Sequence, residues 1–259
     1  MCGRYASSRR PEDLIEEFEV VRDATAAPLL ADYNVAPTKE VYAVLERPPR
    51  SEEGVDHPAE RQLRVLTWGL VPSWAKDPSI GTRMINARME TVADKPAYRK
   101  AFASRRCLVP ADGYYEWYAS SQLNAKGKPV KQPFFIRPRD GGILAMAGLY
   151  ELWRDPARAD DDPARWRWTC TVLTTEAEDA VGHIHDRMPL MVERDAWADW
   201  LDPTLPGAQD LLVPAAPGAL EAYPVATLVS NVRNNGPELV APLPLDDLPA
   251  GIDPTGGAS

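Results

Sequence analysis

Ala111-Asp112-Gly113-Tyr114-Tyr115-Glu116-Trp117 reads as a turn running into a β-strand. Asp and Gly supply the turn, and the aromatic run after them favours extended backbone. On an alternating strand Tyr114, Glu116 and Tyr118 share one face, which sets a carboxylate among rings. Strand-like runs flank this stretch: Arg106 to Val109 before it, Pro133 to Arg137 and Ile143 to Trp153 after it. Farther out lie Val41 to Glu46, Gln62 to Trp68, Trp168 to Thr174, a short strand near Met191, and Val225 to Val229. Helices are few. Ser7 to Val20 has Pro11 in a first turn and an apolar face of Leu14, Ile15 and Phe18. Lys95 to Ser104 and Asp195 to Leu201, the latter capped by its Asp, are short. Many short strands with few helices predict one α+β domain with a largely antiparallel, barrel-like sheet.

The remaining segments read as connections. Residues 21–40 form a loop holding Tyr33-Asn34-Val35-Ala36-Pro37, and Arg47 to Arg61 an exposed turn. Ala119 to Gln132 is a hairpin loop, and the charged stretch 154–167 a mobile insertion. The domain spans residues 2–242, and 243–259 is expected to be a disordered tail, rich in Gly, Pro, Ser and Thr from Pro249 onward.

Composition excludes several classes. The chain has 259 residues, 44% of them hydrophobic, enough for a sizeable core. No apolar run reaches the roughly 20 residues of a membrane span, and no apolar leader opens the chain, so a cytoplasmic protein is expected. Three cysteines (Cys2, Cys107, Cys170) without close spacing support neither a disulfide framework nor a zinc site. No metal and no cofactor is expected. The net charge of −9 disfavours loose coating of nucleic acid. Yet Gln62 to Cys107 holds nine basic and three acidic residues, a local +6. Such a face suits a short anionic ligand held in one place.

The chain opens Met1-Cys2-Gly3-Arg4-Tyr5. Once Met1 is removed, Cys2 carries an α-amine and a thiol on adjacent carbons. An α-amine has a pKa of about 7.7–8.0, so a useful fraction is nucleophilic near neutrality. Amine and aldehyde give an imine, and a thiol one carbon away can close on it as a five-membered thiazolidine. Three other polar residues stand in similarly punctuated surroundings. Asn86 is either an Asx-turn residue or a positioning group. Glu116 is a strand-surface carboxylate or, if buried among its rings, a proton shuttle. His185 is a hydrogen-bonded core histidine or an acid–base group. Arg4, Arg88 and Arg187 lie within two residues of these candidates and can meet phosphates beside a reacting sugar. Trp68 and Trp74 bracket a Pro-containing loop; each packs in the core or stacks on exposed bases.

MCGRY at 1–5, YNVAP at 33–37, WGLVPSW at 68–74, INARMET at 85–91, ADGYYEW at 111–117, PFF at 133–135 and HDRMP at 185–189 together resemble the SRAP family, the SOS response-associated peptidase or abasic-site-processing proteins. The resemblance runs in order from residue 2 to about 242. It implies a sensor of abasic sites in single-stranded DNA, a monomer that joins the nucleoid on damaged DNA. It also implies a covalent thiazolidine between Cys2 and the open-chain aldehyde of the lesion. By motif, Asn86 positions the amine and sugar, Glu116 is the acid–base group for imine formation, and His185 assists ring opening. Arg4 and Arg88 hold flanking phosphates, and Asn34 lines the pocket. The family name adds a peptidase activity, with removal of Met1 as its simplest form. Two other readings stay open: a peptidase with Cys2 as N-terminal nucleophile, and a non-catalytic single-strand-binding module.

Overall fold

The computed structural model describes residues 2–48, 58–177, 179–205, 208–214, 216–249 and 252. Among these the chain forms thirteen strands and four short helices. They run β1 (Tyr5–Ser7), α1 (Pro11–Glu17), β2 (Arg22–Asp23), β3 (Asp32–Val35), β4 (Glu40–Arg47), β5 (Glu60–Trp68), β6 (Asn86–Arg88), α2 (Arg99–Ser104), β7 (Arg106–Ala111), β8 (Gly113–Leu123), β9 (Pro129–Pro138), β10 (Leu144–Arg154), β11 (Trp166–Glu176), α3 (Asp179–Gly182), β12 (Arg187–Pro189), α4 (Trp197–Leu201) and β13 (Leu220–Pro224).

Strands β4, β5, β11, β10 and β7 close on one another. Four of the joins are antiparallel; the fifth is parallel, setting Thr67 against Thr169 and Trp68 against Cys170. The closed ring removes the open edges that a flat sheet would expose. A second sheet, ordered β13-β9-β8-β1-β3, is antiparallel throughout. The α+β, barrel-containing single domain expected from the strand pattern is what the chain adopts.

Alternation explains the core. Val41, Ala43 and Leu45 join one apolar cluster, with Val109, Met146, Cys170 and Val172. Their neighbours Tyr42 and Val44 join another, with Leu108, Ala147 and Leu173, covered by residues of α1, α2 and α4. Odd and even positions of each barrel strand thus face inward and outward in turn. The inner cluster continues into the second sheet through Tyr5, Tyr114, Phe134 and Ile136. Tyr115 and Phe135 face the other way and pack with Val225, Val229 and Leu239.

Several boundaries differ from expectation for visible reasons. The first helix starts only at Pro11, because Tyr5–Ser7 pairs with β3 and β8. Residues 21–40 hold two strands, each kept in place by a partner elsewhere in the chain. The Ala119 to Gln132 loop is mostly hairpin: β8 runs to Leu123 and β9 starts at Pro129. Residues 154–167 form the tip joining β10 to β11. Asp155, only 6% exposed, accepts from Arg167 (2.7 Å) and from the Ala157 amide (3.0 Å). Asp195 does not cap a helix; it sits inside a 3-10 turn ahead of α4. Val225 to Val229 is not a strand, since the pairing with β9 ends at Pro224 and a 3-10 turn follows at Thr227–Ser230. In the expected disordered tail, the Leu243 amide donates to Pro224 O (2.8 Å) and Ile252 is buried in the inner cluster. Residues 250–251 and 253–259 of that tail, and 49–57 of the expected exposed turn, lie outside the described residues.

Candidate active site

The site forms where the end of β11 meets the second sheet. Thr174 is flanked on both edges: β6 pairs there in parallel (Val172 with Asn86, Thr174 with Arg88), and β12 in antiparallel (Thr174 with Pro189, Glu176 with Arg187). The turn before β12 carries His185. β1 and β8 pair at Tyr5 and Tyr114, which sets the residues before Tyr5 beside those after Tyr114. Four distant segments thereby deliver Cys2, Asn86, Glu116 and His185 to one place.

Cys2 is wholly buried in the chain that retains Met1. Asn86 Nδ2 donates to the Cys2 carbonyl at 2.7 Å. Asn86 itself is braced from behind, its own carbonyl accepting from Tyr98 OH at 3.3 Å. The Asn86 Oδ1 atom is buried and has no hydrogen-bond partner among the described residues. Burial raises the Cys2 thiol well above its ordinary pKa, and the nearby Glu116 carboxylate adds to the effect. The thiol is therefore neutral in this setting.

Glu116 is 5% exposed. Phe134 stands directly across from it on β9, and Tyr114 and Tyr118 share its face of β8 as alternation predicts. This is the physical content of the PFF motif: Phe134 walls off the carboxylate, while Phe135 packs on the opposite face. Desolvation raises the Glu116 pKa, and the positive charges of the chain's amino terminus and of His185 pull it partly back. A carboxyl held in this way keeps its proton to higher pH than an exposed one. Gly113 at the turn is required by closeness: a Cβ there would lie 2.4 Å from the Phe135 ring and 2.6 Å from Ile136 O. The adjacent Asp112 accepts from the Ser8 amide at 2.7 Å and ties the turn to β1.

His185 accepts at Nδ1 from the Arg187 amide (3.0 Å). In the neutral ring that bond leaves Nε2 as the protonated nitrogen. Asp186 Oδ1 also lies 2.9 Å from Nδ1 and is placed to accept once the ring is protonated.

The expected ligand-binding residues divide. Trp68 is not available for stacking on a base: it is 1% exposed, packs edge-on to Tyr5 and donates from Nε1 to Ile85 O at 2.9 Å. It sits inside the barrel because β5 presents it on the inward row. Trp74 is 59% exposed. Arg4 is committed internally, donating to Asn34 Oδ1 (2.7 Å) and Val229 O (2.9 Å). Asn34 does not line an open pocket. It is fully buried, and its Nδ2 lies within 3.2 Å of the carbonyls of Val229, Asn231 and Asn234. Arg187 is held by a two-pronged pair with Glu90 (2.5 and 3.0 Å) and by Thr174 O (2.6 Å). Arg88 is exposed and makes no side-chain hydrogen bond or ion pair among the described residues. Of the three arginines, it is the one left for an incoming anion.

Glu90, Tyr98 and the 229–234 loop were not singled out by sequence, although each supports a candidate residue. The Asn-rich run Ser230-Asn231-Val232-Arg233-Asn234-Asn235 carried a signal, since such runs build turns whose carbonyls point one way. Asn34→Ala strips hydrogen bonds from Arg4 and from that loop. It should cost about 1–3 kcal/mol of stability, read from urea unfolding at unchanged m-value.

Cys2 thus stands beside a buried carboxylate, an amide and a histidine on a closed barrel backed by a second sheet. The family model described as SOS response associated peptidase (SRAP) matches residues 1–232, and the chain belongs to that family. It is 37% identical over 243 residues to the abasic site processing protein YoqW of Bacillus subtilis, covering 93% of this chain and 99% of that one. It is 31% identical over 253 residues to YedK of Escherichia coli, also named an abasic site processing protein, covering 94% and 100%. A crystal structure of a Bacteroides thetaiotaomicron protein superposes with a TM-score of 0.74 at 24% identity, over 93% of this chain and all of that one.

Proposed function

We propose that the protein processes abasic sites in single-stranded DNA by forming a covalent thiazolidine through Cys2. The observation that carries this reading is the grouping of Cys2, Asn86 and Glu116: Asn86 grips the Cys2 carbonyl, and Glu116 is close enough to perturb the Cys2 thiol. The names of YoqW and YedK support the substrate class.

The chemistry follows from the groups present. An abasic sugar is mostly a closed hemiacetal. His185, donating a hydrogen bond from Nε2 to the ring oxygen, assists ring opening: the anomeric hydroxyl proton passes through water to that oxygen as its bond to the anomeric carbon breaks. The freed Cys2 amine attacks the aldehyde carbon. Asn86 Oδ1, buried and without a partner among the described residues, accepts from that amine and holds its lone pair toward the carbon. Glu116, kept protonated by burial, gives its proton to the departing hydroxyl, and water leaves as the imine forms. The thiol sulfur then bonds to the carbon of the still-protonated imine while its own proton passes to the Glu116 carboxylate, so the acid is restored and no charge is left in the buried site. In this reading Arg88, exposed on β6 two residues from Asn86, meets a flanking phosphate, and the exposed Trp74 is the candidate for stacking on a base farther along the strand.

The competing amide-hydrolysis reading shares Cys2 but needs an activated thiolate, and burial pushes this thiol the other way. The test is a denaturing gel of protein mixed with abasic or intact oligonucleotide, paired with the mass of the N-terminal peptide. A surviving band only with abasic DNA, and only in protein lacking Met1, is the expected result. Equal retention of intact DNA with no surviving band sinks the proposal.

A further inference from the structure

The barrel has a second end, remote from Cys2. Alternation carries the inward row of Leu45 on to Arg47, that of Leu66 back to Arg64, that of Tyr150 on to Leu152, and that of Cys170 back to Trp168 and Trp166. Small barrels ordinarily fill such positions with packed side chains. Here they line a cavity of about 480 Å³, together with Gln62 and Arg22 of β2.

Its cations are in place and unspent. The Arg64 and Arg47 guanidinium groups lie over the Trp168 ring at 4.2 and 5.1 Å, and Tyr150 stacks on the same indole at 5.8 Å. Arg64 Nε donates to Gln62 Oε1 at 2.9 Å. Arg22 and Arg47 make no side-chain hydrogen bond or ion pair among the described residues. Burial lowers the basicity of Arg64, and the like charges of Arg47 and Arg22 lower it further. Three guanidinium groups gathered with no ion pair among the described residues are unusual in a chain of net charge −9; Glu60, across from Arg47 on β5, makes none with it. Beside them stands Trp166, 44% exposed.

We propose that this barrel mouth binds a nucleotide, its phosphate between Arg47, Arg64 and Arg22 and its base against Trp166. Planar guanidinium groups present paired N–H donors matched to phosphate oxygens. An exposed indole is a stacking surface for any base. The cavity volume falls in the range of small-molecule sites, and barrel mouths are common places for them. Trp168 lies four residues along β11 from Val172, the partner of Asn86, or about 13 Å at strand spacing. The mouth is thus separate from Cys2, and the inference does not rest on the crosslinking chemistry. The ligand is either a free nucleotide or the phosphorylated end of a strand, which share this chemistry.

The test is titration of the full-length, ¹⁵N-labelled protein with adenosine 5′-monophosphate, adenosine, or a 5′-phosphorylated oligonucleotide without a lesion, following the indole N–H signals. Saturable shifts of Trp166 and Trp168 with either phosphorylated probe support the proposal. Shifts with the mononucleotide identify a free nucleotide; shifts with the oligonucleotide alone identify a strand end. Arg47→Gln with Arg64→Gln should weaken that binding by about tenfold per arginine, with the other indole signals unmoved as proof of an intact fold. Crosslinking to abasic DNA should be unchanged in this variant, so failure here and failure at Cys2 read out separately. No shift with either phosphorylated probe, equal binding of adenosine, or full affinity in the double variant overturns the proposal.

Discussion

Cys2→Ser protein should leave no more DNA-bound band after denaturation than a lesion-free control, while borohydride reduction before denaturation should still trap an adduct. The serine α-amine attacks the aldehyde as the cysteine amine does, and Asn86 still holds the residue-2 carbonyl. What is missing is sulfur. A hydroxyl closing on the imine gives a ring that reopens readily in water, so the imine hydrolyses or loses the 3′ phosphate by β-elimination. The side chain at position 2 lies in the inner cluster and differs by one atom, so the fold should tolerate the change. A reductant-independent band equal to that of the parent would remove the thiol from the mechanism.

Glu116→Gln should slow adduct formation by about 10²–10⁴-fold, the usual worth of a positioned acid–base group. The pH dependence separates this role from a structural one. Burial raises the Glu116 pKa, so in the parent the acid is lost as pH rises through that value, while the Cys2 amine becomes nucleophilic. The parent profile is therefore bell-shaped. The glutamine variant should show only the rise caused by amine deprotonation. Stability moves the opposite way. Below the ordinary carboxylate pKa of about 4.3, folded and unfolded chains both hold the proton. Above it the unfolded chain releases the proton while the folded chain keeps it, so folding stability falls until the raised folded pKa is passed. Glutamine has no such penalty. The variant should match the parent in melting temperature near pH 4 and exceed it at pH 7.5. A variant less stable at both pH values would show Glu116 to be a structural carboxylate.

Much of this was visible in the chain. Period-two alternation around Tyr114, Glu116 and Tyr118 located the site strand and its inward face, and the barrel strands were readable from their apolar runs. The motifs marked which residues converge. Alternation does not say which strands join, so the parallel closure of β5 on β11 was invisible, and with it the inward burial of Trp68. The arginines were harder. A guanidinium looks the same in sequence whether it meets solvent or a carbonyl chain-lengths away. Arg4 is spent on Val229 and Arg187 on Glu90, partners 225 and 97 residues distant. Short strands such as Asp32–Val35 were missed because their extended state comes from a neighbour, not from their own residues.

The clasp between Arg4, Asn34 and the carbonyls of Val229, Asn231 and Asn234 has a consequence for timing. A ribosome adds about 5–20 residues per second, so roughly ten to forty-five seconds pass between the emergence of Arg4 and that of Val229. Until then the leading residues lack the contacts that lock them inside the finished molecule. The nascent chain therefore carries Arg4 and its neighbours unclasped for most of its synthesis, and the latch closes only once the 229–234 run has emerged.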